Sequence, residues 1–144
     1  MTARYFVDSN VLIYARDVVD VAKQQRANLW LQLLWNINAG RLSYQVLLET
    51  YSVLTARRTL YSQEARAYLI DFLAWRPLTL DWTVVQHAWQ AQDRFRFNWW
   101  DCLIVAAARL GECDYILTED LQHGQDLDGI VVLDPFQVEP DAVR

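Results

Sequence analysis

The feature that most limits what this chain can fold into is an alternation of two kinds of apolar segment. Arg4-Tyr5-Phe6-Val7, Tyr115-Ile116-Leu117 and Ile130-Val131-Val132-Leu133 are short, apolar and β-prone, without polar alternation. Such runs suit strands buried on both faces. Brief strands are also expected at Leu42-Ser43-Tyr44 and Leu78-Thr79-Leu80. Between them lie stretches with helical spacing. Ser9-Asn10 can cap a short helix through Tyr14. Gln24 to Asn38 places Ala27, Trp30, Leu31, Leu34 and Ile37 on one face, and Gly40 ends it. Gln45 to Arg58 forms the next helix. Another begins at Ser62 and stops before Pro77, a residue that disfavours helix in its predecessor. Thr83 to Phe95 follows, with Val84, Val85, Ala88 and Trp89 inward; Trp99 to Leu110 is apolar almost throughout and closes at Gly111.

This order predicts an α/β fold with a mainly parallel, short-stranded sheet flanked by helices. In such sheets ligands gather beyond the carboxyl ends of the strands. No repeat or linker interrupts the 144 residues, which read as one domain, with a core from about residue 4 to 136 and a loosely held tail after Pro135. With 53% hydrophobic residues, 4 Gly and 3 Pro, the composition excludes a disordered or collagenous chain. Cys102 and Cys113 make no CxxC and no disulfide framework, which suits a reducing cytoplasm. No signal-peptide pattern and no apolar run of 18 residues is present, so neither secretion nor membrane insertion is expected.

Charge alone does not settle the partner. Thirteen basic residues against 18 acidic give −5, where phosphate binding usually leaves a basic footprint. The distribution is uneven: residues 1–72 carry +2 and residues 73–144 carry −7. All basic residues but Lys23 are arginines, which suit phosphates and surface carboxylates alike.

Four acids sit where they cost something. Asp8 ends the first strand. Glu49 shares a helix face with Val46 and Val53. Asp101 is embedded in Trp99-Trp100-Asp101-Cys102-Leu103-Ile104. Asp120, beside Glu119, follows the strand ending at Leu117. Each has a purely structural reading too: a turn residue for Asp8, a rotated face for Glu49, a capping box from Asn98 for Asp101, a loop cap for Thr118-Glu119-Asp120. Taken together they would crowd one sheet end, where each pair at about 6 Å repels by roughly 3 kcal/mol at an effective dielectric near 20. Protonation or a bound cation relieves that. Oxygen donors without Cys or paired His point to Mg²⁺ or Mn²⁺, which activate water for phosphodiester hydrolysis.

The string Asp8-Ser9-Asn10-Val11-Leu12-Ile13-Tyr14 resembles the opening motif of PIN-domain nucleases. Leu47-Leu48-Glu49, Trp100-Asp101-Cys102-Leu103-Ile104-Val105-Ala106-Ala107-Ala108 and Leu117-Thr118-Glu119-Asp120-Leu121-Gln122-His123-Gly124 are similar to its later motifs, in order. Within that family the chain looks like the VapC-type toxins of toxin–antitoxin pairs, over residues 4 to about 136. The resemblance implies a Mg²⁺- or Mn²⁺-dependent endoribonuclease acting on tRNA or other cellular RNA and leaving a 5′-phosphate. It also implies a homodimer and a cognate antitoxin that covers the active site. By the same resemblance Asp8, Glu49, Asp101 and Asp120 form the catalytic and metal-binding quartet, Asp8 and Asp101 as direct ligands, Glu49 and Asp120 completing the site or acting through water. Glu119 is a second choice for Asp120, and Ser9, Asn10 and Thr118 are supporting polar residues.

Arg57, Arg58, Arg94, Arg96, Trp99 and Trp100 are candidates for RNA contact, though arginines also suit helix ends and tryptophans cores or dimer surfaces. His123 belongs to a turn, His87 is read as a structural helix residue, and the cysteines as small buried ones. A haloacid-dehalogenase-type phosphatase would want Asp where Asn10 stands, and a receiver domain a strand-end Lys. The alternative of another class is a non-catalytic PIN-like module binding RNA or protein. Setting the quartet aside leaves a net charge of −1. RNA affinity should therefore fall only shallowly with salt, at about −0.7 in log–log slope for each phosphate neutralised on a single strand. A filter-binding titration giving a steep slope would reveal a basic surface invisible in the linear sequence.

Overall fold

The computed structural model describes residues 2–140. Strand β1 (Tyr5–Val7) runs straight into helix α1 (Ser9–Tyr14). The helix starts here because Asp8 is extended and its carboxylate accepts the Ser9 amide, so the cap is Asp8 rather than the Ser9-Asn10 pair. Helix α2 (Val21–Ile37) begins three residues before Gln24, since Asp20 caps it by accepting the Lys23 amide. It ends at Asn38 in the left-handed conformation, not at Gly40.

Gly40 has a different duty. It opens strand β2 (Gly40–Arg41), and a Cβ there would lie 2.5–2.6 Å from the indole of buried Trp75. The strand expected at Leu42–Tyr44 therefore falls two residues early, and the one at Leu78–Leu80 shrinks to a single parallel bridge from Leu78 to Ser43. Helices α3 (Tyr44–Ala56) and α4 (Ser62–Asp71) follow, and α4 tightens into a 3₁₀ turn at Phe72–Trp75. Then come α5 (Trp82–Phe95), α6 (Trp99–Leu110), β3 (Tyr115–Leu117), β4 (Asp126–Leu127) and β5 (Ile130–Leu133).

The five strands lie in the order β2-β1-β3-β5-β4, all parallel except β4 against β5. That hairpin was not anticipated, yet its Asp128-Gly129 turn has positive φ at both residues, as a two-residue hairpin requires. The main core packs both sheet faces, with Phe6, Val7, Ile116 and Leu117 buried at the centre and Trp30, Trp75 and α6 from Cys102 to Ala108 closing around them. Ile37 and Trp89, expected inward, are exposed at 40% and 46%. In both helices other positions of the apolar face fill the contact first. The tail is also tighter than expected up to Pro140. Phe136 and Val138 pack on the core, and the Trp30 indole N–H donates to the carbonyls of Pro135 and Val138. The last four residues of the expected loose tail, 141–144, lie outside the described residues. No helix among the described residues is long and apolar enough to cross a membrane.

Gly40→Ala should push a methyl into the Trp75 ring and cost about 1–3 kcal/mol, the usual penalty for overpacking. Urea unfolding followed by tryptophan fluorescence measures this; an unchanged midpoint would mean the indole moves aside freely.

Candidate active site

Strand register builds the site. Val7 pairs with Leu117, so the next residues of each strand, Asp8 and Thr118, stand side by side beyond the sheet. The Asp8 amide donates to the Leu117 carbonyl at 3.0 Å. β2 lies on one side of β1 and β3 on the other. This is the switch point at which open α/β sheets leave a crevice.

Thr118, fully buried, is the hub. Its hydroxyl donates to Asp8 Oδ2 at 2.8 Å and accepts from Asn10 Nδ2 at 3.0 Å and from the Asp120 amide at 3.1 Å. Asn10 Nδ2 also reaches Asp120 Oδ2 at 3.3 Å. The supporting roles expected of Asn10 and Thr118 thus have a geometric form: one on α1, one at the end of β3, joined to each other and to both aspartates.

Glu49 arrives from α3, which packs against α1. Ser9 Oγ donates to Glu49 Oε2 at 3.0 Å, and Gln45 Nε2 donates to Oε1 at 2.8 Å. Asp101 stands in the first turn of α6. Its amide donates to Asn98 Oδ1 and its carboxylate accepts from Asn98 Nδ2 at 2.8 Å. The capping interaction and the cleft position coexist, because the cap occupies one carboxylate oxygen.

Asp8, Glu49, Asp101 and Asp120 line one cleft of about 500 Å³, together with Gln45, Asn98, Trp100 and Ile104. Glu119 is not in its lining: it pairs with Lys23 at 2.8 Å, and the ammonium of Lys23 sits over the Tyr14 and Phe136 rings. Of the residues considered for RNA contact, only Trp100 lines the cleft, and it is exposed. Trp99 packs on the core. Arg57 and Arg58 are exposed at the end of α3. Arg94 pairs with Asp128 and borders a separate cavity between α5 and α6, and Arg96 is exposed at the α5 terminus. His123 Nδ1 accepts the Asp134 amide, a structural duty. Gln45 was missed in the sequence, although its place four residues before Glu49 puts it on the same helix face.

Three of the four carboxyls titrate high. Burial pushes Asp8 up to about 7, helped by the charges of Asp120 and Glu49 and opposed by the Ser9 amide and Thr118 hydroxyl. Burial, then Asp120, then Glu49 raise Asp101, against the Asn98 hydrogen bond. Burial raises Asp120, against the Asn10 amide, with Glu119, Glu49 and Asp134 adding to the rise. Among the described residues no three of His, Cys, Asp and Glu converge closely enough to grip a metal ion by themselves. The donors are nevertheless all hard oxygen. Mg²⁺ characteristically takes one or two carboxylates and completes its shell with water and phosphate, so a cleft of spaced carboxylates fits a hydrated ion.

The PIN-domain family model matches residues 5–125. The chain belongs to the PIN-domain family. Among curated proteins none matches it by sequence. Solved structures share its fold. A toxin–antitoxin complex from Klebsiella pneumoniae superposes with a TM-score of 0.63 at 15% identity, covering 91% of this chain and 97% of the other. The Mycobacterium tuberculosis toxin VapC20, which cleaves the sarcin–ricin loop, gives 0.62 at 20% identity, covering 81% and 89%. DNA-bound VapBC from Salmonella typhimurium gives 0.63 at 18%, covering 93% and 99%. The α/β architecture expected from the strand–helix alternation is that of PIN domains.

The raised Asp8 carboxyl fixes a pH dependence for this PIN domain. A carboxyl that holds its proton more tightly when folded stabilises the protein below its unfolded value near 4 and loses that contribution as pH climbs through about 7. Without metal, the melting temperature should fall between pH 5 and pH 8. Asp8→Asn should flatten the decline. A wild-type stability rising over that interval would contradict the crowding of these carboxyls.

Proposed function

We propose that this PIN domain is a divalent-metal-dependent endoribonuclease, with Asp8, Glu49, Asp101 and Asp120 as its catalytic and metal-binding residues. The observation that carries the reading is the convergence of four carboxylates from four separate elements on one cleft, three of them with raised pKa. That arrangement stores repulsion which a cation releases. Asp8 and Asp101 would hold the ion directly, Glu49 and Asp120 through water. Bound there, Mg²⁺ or Mn²⁺ supplies positive charge at the phosphate and acidifies a water for in-line attack.

The chain's own residues prepare the site. Thr118 and the Ser9 amide fix both oxygens of Asp8. Asn98 holds one Asp101 oxygen, and Asn10 orients Asp120. Exposed Trp100 at the cleft offers a stacking face for a base. Arg57 and Arg58, about 12 Å along α3 from Glu49 at 1.5 Å per residue, are placed for a flanking phosphate rather than the scissile one.

The toxin role, a cognate antitoxin and a homodimer extend the same reading. They are supported by the fold shared with the Klebsiella complex and with VapBC. RNA as substrate is supported by the family and by the VapC20 fold. The cytoplasm is the compartment such an activity needs.

Purified protein should cut RNA with Mg²⁺ or Mn²⁺, leave 5′-phosphates, and stop in EDTA. Asp8→Ala and Asp101→Ala should each reduce the rate by about 100-fold or more, the equivalent of several kcal/mol of lost charge stabilisation. Unchanged cleavage by folded Asp101→Ala would refute the assignment. A folded wild type that binds RNA but neither cuts it nor responds to metal would favour the non-catalytic alternative.

A further inference from the structure

The cleft contains one polar side chain that the quartet does not account for. Gln45 is 5% exposed, lines the cleft, and sits one helical turn before Glu49 on α3. Its amide nitrogen donates to Glu49 Oε1 at 2.8 Å and to the Trp100 carbonyl at 3.3 Å. Both partners are acceptors only, so the amide has one sensible orientation: a flipped side chain would set oxygen against a carboxylate and a carbonyl. The consequence is that Gln45 Oε1 is buried without a partner. Holding the amide this way at the cost of an empty acceptor marks the two donor contacts as the ones the site needs.

We propose that Gln45 is a positioning residue for the metal site: its NH₂ ties Glu49 on α3 to the first turn of α6, which carries Asp101, and so fixes the direction in which Glu49 presents its carboxylate to a hydrated ion. This rests on the metal-dependent reading above. The link spans the two helices that bring Glu49 and Asp101 to the cleft, and no other hydrogen bond among the described residues joins α3 to α6 there. A neutral donor serves this purpose better than a cation. It orients Glu49 without cancelling the charge that attracts the ion. The amide also keeps Glu49 from swinging away when its neighbours are ionised.

The test is Gln45→Met, similar in volume but without donor or acceptor, measured beside wild type by calorimetric Mn²⁺ titration and by thermal melts in EDTA. Manganese affinity should weaken about 10-fold or more, as for other residues that support metal ligands. The melting temperature in EDTA should fall only slightly, because loss of the hydrogen bonds to Glu49 Oε1 and the Trp100 carbonyl is partly offset by removal of an empty acceptor. Gln45→Asn, which keeps the amide but is one methylene too short for both contacts, should show the same loss of affinity and guards against a misfolded Met variant. Wild-type affinity in both variants overturns the role of Gln45 while leaving the metal site intact. A wild type that binds no Mn²⁺ overturns both. A variant that melts lower in EDTA with unaltered Mn²⁺ affinity marks Gln45 as a structural residue only.

Discussion

The arrangement depends on one buried carboxylate. Asp8 is 4% exposed, follows strand β1 directly, and caps the first helix through the Ser9 amide. Register then brings Thr118 beside it, and the Thr118 hydroxyl collects Asn10 and Asp120 around the same point. Moving Asp8 by one residue would turn it to the other face of the sheet, remove the cap and separate the two strand ends. Backbone geometry and acid placement are therefore a single constraint here, and the short strands are long enough to satisfy it. Three register pairs align β1 with β3, and Asp8 and Thr118 stand at the next position.

Every side-chain partner of the four carboxylates among the described residues is neutral: Thr118, Ser9, Gln45, Asn10 and Asn98. This matters because a hydroxyl or amide fixes direction and leaves the charge in place. A guanidinium or ammonium would fix direction and also cancel the charge. The chain's one lysine illustrates the difference. Lys23 neutralises Glu119, the carboxylate adjacent to Asp120 in sequence, and does so outside the cleft lining. Acids facing the cleft retain their field, while the acid beside it is paired off. The cost is the raised titration of Asp8, Asp101 and Asp120, a destabilisation concentrated at the site, as happens where function overrides packing.

Strands β1, β3 and β5 and helix α6 were legible in the sequence because apolar runs and a capped, uniformly apolar helix carry strong local signals. The four acids were legible because each interrupts such a signal or directly ends one. What escaped has identifiable physical causes. The position of β2 depends on Gly40 meeting Trp75, a contact across 35 residues that periodicity cannot encode. The β4 hairpin is two residues deep on its first strand, too short for an apolar pattern, although its Asp-Gly turn was in view. Gln45 looked like an ordinary polar residue at a helix start, and only its orphaned carbonyl and its two acceptor partners distinguish it. Linear reading ranked Asp120 above Glu119; in the structure Asp120 lines the cleft and Glu119 pairs with Lys23 from α2.

The net charge of −5 takes on a different meaning in three dimensions. An acidic cleft repels phosphate, so under the proposed function the site without a cation would oppose an RNA substrate. Arginine placement does not compensate at close range: Arg94 is engaged with Asp128, and Arg57 and Arg58 stand at the far end of α3. Under that proposal, attraction for an RNA backbone at the reacting phosphate would be supplied chiefly by an ion held by the carboxylates. One element would both recruit the phosphate and activate the water. Under that arrangement metal and RNA bind cooperatively, since each offsets charge the other brings. On the proposed function, the acidic balance that seemed to argue against a nucleic-acid substrate is what would make an ion indispensable to binding one.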